Sequence, residues 1–122
     1  WMYEKKADYT NTFCHLMNEN TKEDKNYGDK DFQNWKIRWN ERLKTNNNTP
    51  EKYLKLMKTV NPLIIPRNHK VEEVLQAAEK NDLKPITLLI ELLKDPYSNK
   101  KNIIDYQIPS NSDEKYQTFC GT

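Results

Sequence analysis

The chain has 122 residues, of which 35% are hydrophobic and 31% charged, and its formal net charge is +2. This length suits one small domain, and the near balance of 20 basic and 18 acidic residues excludes the one-signed surfaces typical of nucleic-acid-binding and peripheral membrane proteins. The hydrophobic fraction is below that of a self-sufficient domain, so we expect part of the chain to pack against a partner.

The first apolar stripe starts at the first residues of the chain. Apolar residues at helical spacing predict a helix that ends near Asn18. They are Met2, Tyr9, Phe13, Leu16 and Met17. Because the pattern is already under way at Trp1 and the chain does not begin with Met, we expect a piece of a longer protein. The polar stretch from Asn20 to Lys30 predicts a loop, and Asp29 or Asp31 is expected to cap the next helix.

The second predicted helix carries two tryptophans on one face. Phe32, Trp35, Trp39 and Leu43 follow one another at intervals of three or four residues. We interpret this face as part of the core, since large aromatic side chains dominate cores. The alternative is a stacking platform for nucleic-acid bases, but the nearby basic residues form no continuous groove that would support it.

A third helix is expected after a polar linker from Lys44 to Asn48. Thr49 is a suitable N-cap, and Pro50 is tolerated at the first helical position. The expected buried face comprises Tyr53, Leu54, Met57 and Val60. Prolines then bracket an apolar run, Leu63 to Ile65, which is predicted to be extended. This run is expected either to lie across the following helices or to dock on another domain.

The next two predicted helices form an αα-hairpin. Val71, Val74, Leu75 and Ala78 make one helical stripe, and Ile86, Leu89, Ile90 and Leu93 make the next. Asn68 is the predicted N-cap of the first helix. Asp82 is the predicted cap of the second, with Pro85 in its first turn. The link Asn81-Asp82 is so short that the two helices must be neighbours.

The predicted fold class is all-α. We expect an irregular bundle of about five helices, centred on the αα-hairpin, over residues 1–97. Residues 98–122 are predicted to form an extended C-terminal tail that carries Cys120. The candidate contacts with another domain are Leu63, Ile64, Ile65, Arg67, Trp35 and Trp39.

The residues offer little chemistry. The only histidines, His15 and His69, have no further ligands at metal-binding spacing, and the only glycines, Gly28 and Gly121, cannot form a phosphate-binding loop. We therefore predict no catalytic, cofactor-binding or metal-binding residue in this chain. Cys120 is interpreted either as a small buried hydrophobe or as an accessible thiol that forms a redox latch. Its partner would be Cys14 or a cysteine outside this sequence.

Several stretches resemble the C-terminal region of the selenoprotein O family, in the same order along the chain. They are ADYTNTF (7–13), WKIRWNERL (35–43), MKTVNPLIIPRNHKVEEVLQAAEKNDL (57–83), LLKDPY (92–97) and YQTFCGT (116–122). The pattern VNPxxIPRNHxVEE is the most specific of them. One departure is Cys14, which follows ADYTNTF where the family is expected to have arginine, so Cys14 receives no family role.

The resemblance implies a parent protein with a protein-kinase-like fold. Members of the family are pseudokinases that bind ATP with a divalent metal (Mg or Mn) and transfer AMP to Ser, Thr or Tyr hydroxyls of other proteins. Their nucleotide and metal residues lie N-terminal to the region that this chain resembles, so none is carried over. Cys120 is third from the end, the position where eukaryotic members of the family place selenocysteine. A cysteine at this position resembles the bacterial form of the family. For this residue the family suggests a redox role through a disulfide to the kinase-like core.

Two functions are therefore considered. The first is a non-catalytic helical segment that supports the kinase-like domain of the same chain and supplies Cys120, in a parent that acts on protein substrates. The alternative is a free-standing helical protein-interaction module that docks through the Trp35 and Trp39 face or through Leu63 to Ile65. In neither case do we expect a nucleic-acid or membrane partner. No signal peptide or membrane-spanning run is present, so the expected location is the bacterial cytoplasm.

Overall fold

The computed structural model describes residues 1–17, 24–45, 49–100 and 103–110. These ranges contain six α-helices and no β-strand, which confirms the all-α prediction. The helices are α1 (Tyr9–Leu16), α2 (Lys30–Thr45), α3 (Pro50–Val60), α4 (Asn68–Glu79), α5 (Lys84–Leu93) and α6 (Ile103–Gln107), and a 3-10 turn (Lys25–Gly28) precedes α2. The chain divides into two compact units, Trp1–Leu63 and Ile64–Thr122, where the sequence indicates one domain. The predicted boundary at residue 97 stays a prediction.

The helix predicted from Met2 onward begins only at Tyr9. Turns occupy residues 2–6, and Lys6 has a positive φ of 51°. Asp8 is extended, and its Oδ1 accepts the backbone N–H of Asn11 at 2.8 Å, so Asp8 is the N-cap of α1. The prediction of one continuous helix is wrong because a carboxylate that caps a helix end competes with continuing the helix through that residue.

The core of the first unit is largely aromatic. Leu16 of α1, Tyr27 of the 3-10 turn and Phe32 of α2 are buried together. Partly buried side chains of Trp1, Phe13, Trp39 and Met57 pack against them. The α2 face is thus core at Phe32 and Trp39, as predicted. Trp35 on the same face is 40% exposed, so it is only partly covered.

Local capping fixes where α2 and α3 begin. Asp29 Oδ1 accepts the backbone N–H of Asp31 at 3.0 Å, which confirms Asp29 as the capping residue of α2. The Thr49 side chain accepts from the N–H of Lys52, and Pro50 is the first residue of α3, as predicted. Every residue of α3 is described and none is fully buried. The predicted burial of Val60 is wrong, because this last residue of the helix is exposed.

In the second unit, α4 and α5 contact each other across a short link, which agrees with the predicted αα-hairpin. Val74 of α4 and Leu89 and Leu92 of α5 are buried. The predicted stripe on α5 is wrong at Ile90, which is exposed. The prediction of Asp82 as the cap of α5 is wrong, because Leu83 occupies the cap position and no side chain caps this end. Asp82 Oδ1 nevertheless accepts the backbone N–H of Lys84, the first residue of α5, at 3.1 Å.

The start of α4 differs from the prediction. Arg67 is extended and precedes the first helical residue, Asn68, and no side chain caps this end. Asn68 cannot be the cap because it is already the first helical residue. The extended backbone that follows Pro66 therefore ends at Arg67, one residue earlier than expected. Within the extended run, the N–H of Ile64 donates to the carbonyl of Pro96 at 3.4 Å. This contact favours the interpretation that Ile64 lies across the hairpin.

The predicted tail contains one helix, α6, with Ile103 and Gln107 buried. An entirely extended tail is therefore wrong for the described part, because α6 occupies five residues of it. Cys120 lies outside the described residues, and so do residues 20–23 of the predicted loop and residues 46–48 of the predicted linker. Among the described helices, none is long and apolar enough to span a bilayer.

Asn81 in the hairpin link offers a test of the fold. Its φ is 65°, and its N–H and that of Asp82 donate to the carbonyls of Ala78 and Ala77, which closes α4. Asn81→Val is expected to lower the free energy of unfolding by about 1–2 kcal/mol, because a β-branched residue is strained in this left-handed conformation. Asn81→Gly, the matched control, is expected to stay within about 1 kcal/mol of the natural chain. Equal denaturation midpoints for the two variants would contradict this conformation.

Candidate aromatic pocket

Helix α2 places three aromatic rings along one face. The ring centroids of Phe32 and Trp35 are 6.0 Å apart, and those of Trp35 and Trp39 are 5.9 Å apart with an interplanar angle of 7°. The spacing of three and four residues produces this row, since residues so spaced are neighbours on a helix surface. Phe32 is 3% exposed and Trp35 40% exposed, so burial declines along the row from Phe32 to Trp35.

Trp1 is held beside this row by the residue that caps α2. Its ring lies 4.7 Å from that of Phe32, and its Nε1–H donates to Asp29 Oδ1 at 3.1 Å. The Lys5 Nζ lies 2.8 Å from Asp29 Oδ2. One carboxylate therefore caps a helix, binds an indole and pairs with an ammonium group. These contacts fix the N-terminal turn against α2.

Between the turn and the helix lies an open cavity of about 530 Å³. It is lined by Trp1, Met2, Tyr3, Asp31, Phe32, Trp35 and Arg38; we call it the aromatic pocket. Asp31 and Arg38 are two helical turns apart on α2 and so share one side of it. The walls are aromatic, and charges of opposite sign stand beside them. This arrangement suits an apolar side chain with polar neighbours and contains no group placed for covalent chemistry within the described residues.

Two reactive side chains of the first unit belong to its packing. The His15 ring stacks on Tyr27 with centroids 4.0 Å apart. Burial, helped by the positive charge of Lys36, lowers the pKa of His15 below its ordinary value. The Cys14 thiol is buried and donates to the carbonyl of Pro62 at 3.6 Å. Cys14 is thus withheld from solvent, while His15 is half-buried with its ring packed on Tyr27.

Among the described residues, no three His, Cys, Asp or Glu side chains converge as metal ligands.

The residues predicted to contact another domain differ in their exposure. Trp35 lines the aromatic pocket, and the half-buried Trp39 stacks on Trp35. Leu63 and Ile64 are buried, while Ile65 and Arg67 are half-buried. Trp1, Tyr3 and Arg38 also line the pocket and were not predicted from the sequence. The seven-residue spacing of Asp31 and Arg38 would have placed both on one face, but no sequence pattern links that face to the N-terminal turn.

Acid is expected to lower the stability of the first unit because the Asp29 carboxylate becomes protonated. The Lys5 ammonium, which donates to this carboxylate, lowers its pKa from 3.8 to about 2, and the indole of Trp1 acts in the same direction. Because the folded pKa lies below the unfolded one, the unfolded chain binds the proton more readily. The stabilisation is thus present above pH 3.8 and is lost as the pH falls through about 2.

The measurement is the urea midpoint followed by tryptophan fluorescence, since Trp1, Trp35 and Trp39 are the three tryptophans of the chain and all lie in the first unit. Asp29→Asn is expected to show a smaller loss of midpoint than the natural chain between about pH 5 and about pH 2. Glu41→Gln, an exposed change on α2, serves as control and should follow the natural chain. Parallel losses in all three proteins would contradict this role of Asp29.

Comparison with known proteins identifies the family. A family model described as "Protein adenylyltransferase SelO" matches residues 1–94. The chain is 50% identical over 123 residues to the "Protein nucleotidyltransferase YdiU" of Pelagibacter ubique, an alignment that covers 100% of this chain and 26% of that protein. Proteins of the same description from Nitrosococcus oceani (42% over 124 residues) and Clostridium perfringens (43% over 122 residues) align with 100% and 99% of this chain and with 25% of their own lengths.

The chain therefore spans about a quarter of the length of these curated relatives. No solved structure matches it. Because the family model covers well over half of the chain, and the relatives align with nearly all of it, the resemblance noted in the sequence is confirmed: the chain belongs to the SelO family of protein adenylyltransferases.

Proposed function

We propose that this chain is the non-catalytic C-terminal helical segment of a longer protein that transfers AMP from ATP to Ser, Thr or Tyr hydroxyls of other proteins. The observation that carries the proposal is the match of residues 1–94 to the adenylyltransferase family. In this proposal, ATP and a divalent metal (Mg or Mn) bind to a kinase-like domain in the other three quarters of the protein. The segment supports that domain, and the whole protein acts in the bacterial cytoplasm.

The packing of the segment supports a structural role. Its most perturbed acid, Asp29, is engaged in a helix cap and an ion pair, and its partly buried histidine is stacked on Tyr27. These groups contact other residues of the first unit, which supports a role in its stability. The length of the relatives favours this function over a free-standing interaction module, since the homologous region is a quarter of each of them.

The test is a transfer assay with the full-length protein. Family and relatives differ in their descriptions, one naming adenylyl transfer and the other nucleotidyl transfer. The assay therefore offers ATP, CTP, GTP or UTP, each labelled at the α-phosphate, with Mg or Mn and a bacterial lysate as the source of protein substrates. We expect label on proteins from ATP, bound to hydroxyl side chains. Label from another nucleotide alone would overturn AMP transfer, and no label from any would overturn the enzyme assignment.

A redox role for Cys120 is the second part of the proposal. In the family, the corresponding residue is expected to form a disulfide with the kinase-like core. The burial of Cys14 in the first unit favours a cysteine outside this chain as the partner, because a buried thiol is reached only if its surroundings open. Cys120 itself lies outside the described residues.

We expect transfer by the full-length protein to depend on added reductant, and Cys120→Ser to abolish that dependence. Cys14→Ser is the matched control and should leave the dependence in place. The measurement is initial transfer rate with and without dithiothreitol. A reductant effect of equal size in Cys120→Ser would remove the latch from the proposal while leaving AMP transfer untouched.

A further inference from the structure

The aromatic pocket leaves large apolar groups at the surface of the first unit. Tyr3 is 95% exposed and Trp35 40% exposed, and both line the same concave surface. Single exposed hydrophobic residues are normal on protein surfaces, but aromatic groups gathered around a cavity mark an interaction site. Ile37 extends this surface, since it is exposed and lines a second open cavity that shares Asp31 and Arg38 with the aromatic pocket.

Ring packing, a hydrogen bond and an ion pair hold the walls of the pocket in place. Trp1 and Phe32 both line it with their rings 4.7 Å apart, and the hydrogen bond from Trp1 to Asp29 fixes the indole in place. The ion pair between Lys5 and Asp29 holds the turn that carries Tyr3. A surface fixed in this way loses little conformational entropy when a partner binds, which favours a stable contact.

The charges beside the pocket restrict its occupant. Asp31 and Arg38 have opposite signs, and both line the aromatic pocket and the neighbouring cavity. A nucleotide or nucleic acid would bring phosphate close to the Asp31 carboxylate, which is unfavourable. A protein surface, by contrast, can offer a basic group to Asp31 and an acidic group to Arg38 around an apolar side chain.

We infer that the aromatic pocket receives an apolar side chain, flanked by an acidic and a basic residue, from the part of the parent chain that lies outside these 122 residues. This inference rests on the proposed function, in which the segment supports a kinase-like domain of the same protein. The relatives, about four times as long as this chain, leave ample polypeptide to supply such a contact. The site is thus an intramolecular docking surface through which the segment joins the catalytic part of the protein.

The test uses the full-length protein with a photoreactive benzoyl-phenylalanine in place of Tyr3. Because Tyr3 is almost fully exposed in the first unit, this replacement does not disturb its packing. After irradiation and proteolysis, mass spectrometry identifies the peptides joined to position 3. The control carries the same photoreactive residue at Tyr9, which is 67% exposed on α1 and does not line the aromatic pocket.

We expect position 3 to cross-link to peptides of the same chain outside residues 1–122, with a yield at least about fivefold above that of position 9, since the reaction requires van der Waals contact. Cross-links confined to residues 1–122, a covalent dimer, a cross-link to another protein, or a yield no higher than at position 9 would each overturn the inference. The nucleotide-transfer assay on the same preparation separates the two proposals. A protein that transfers AMP without this cross-link refutes the docking site alone.

Discussion

Phe32→Ala is expected to lower the free energy of unfolding of the first unit by about 3–5 kcal/mol, the range found when a buried aromatic side chain is truncated. Phe32 is 3% exposed and lies at the centre of the aromatic cluster. Its ring is 4.7 Å from that of Trp1, 5.4 Å from Tyr27 and 6.0 Å from both His15 and Trp35. Truncation would remove these contacts and leave a cavity that rigid neighbouring rings cannot easily fill.

Ile37→Ala is the matched control for Phe32. It lies on the same helix and also removes a large apolar side chain, but Ile37 is exposed, so the expected loss is below about 1 kcal/mol. The denaturant midpoint is followed by tryptophan fluorescence, which reports on the first unit because all three tryptophans lie there. Similar losses for the two variants would mean that the aromatic cluster is not the core of this unit.

In the second unit, Leu89→Ala is expected to be the counterpart of Phe32→Ala. Leu89 is buried on α5, the helix that packs against α4, and its truncation should cost about 2–5 kcal/mol. The adjacent residue supplies the control: Ile90 is 51% exposed, and Ile90→Ala should cost about 1 kcal/mol or less. The two variants remove side chains of equal size, so the comparison isolates burial.

Hydrogen exchange resolved to peptides of α4 and α5 is the suitable measurement for this pair, because it reports the local opening of the hairpin. Leu89→Ala should accelerate exchange in both helices, while Ile90→Ala should leave it near that of the natural chain. Faster exchange in Ile90→Ala than in Leu89→Ala would contradict the burial of Leu89 and the exposure of Ile90.

Sequence patterns predicted those features that depend on neighbouring residues. Thr49 and Pro50 mark the start of α3 because a hydroxyl cap and a fixed φ act within one turn. Asp29 caps α2 for a similar local reason. The hairpin follows from two apolar stripes and a short link. Such signals are contained within a few residues, so a single sequence is enough to read them.

Features that depend on distant residues were missed or placed wrongly. Periodicity puts Phe32 and Trp35 on one face, but it does not tell which part of that face other elements cover. The aromatic pocket needs Trp1, which donates to Asp29 across 28 residues, and no local pattern predicts such a contact. Helix α6 has only five residues, too few to show a helical period.

One local signal was overlooked. Asp8 could have been recognised as a cap, since aspartate favours that position.

In the proposed function, nucleotide binds to the parent protein outside these 122 residues, which serve as its helical support. The test is labelling of the full-length protein with a photoreactive azido analogue of ATP, with unlabelled ATP as competitor, because the labelled peptides locate the nucleotide. We predict that every peptide whose labelling ATP suppresses lies outside residues 1–122. A competed label on a peptide from the aromatic pocket, or from any other part of these residues, would place nucleotide within the segment and refute its purely supporting role.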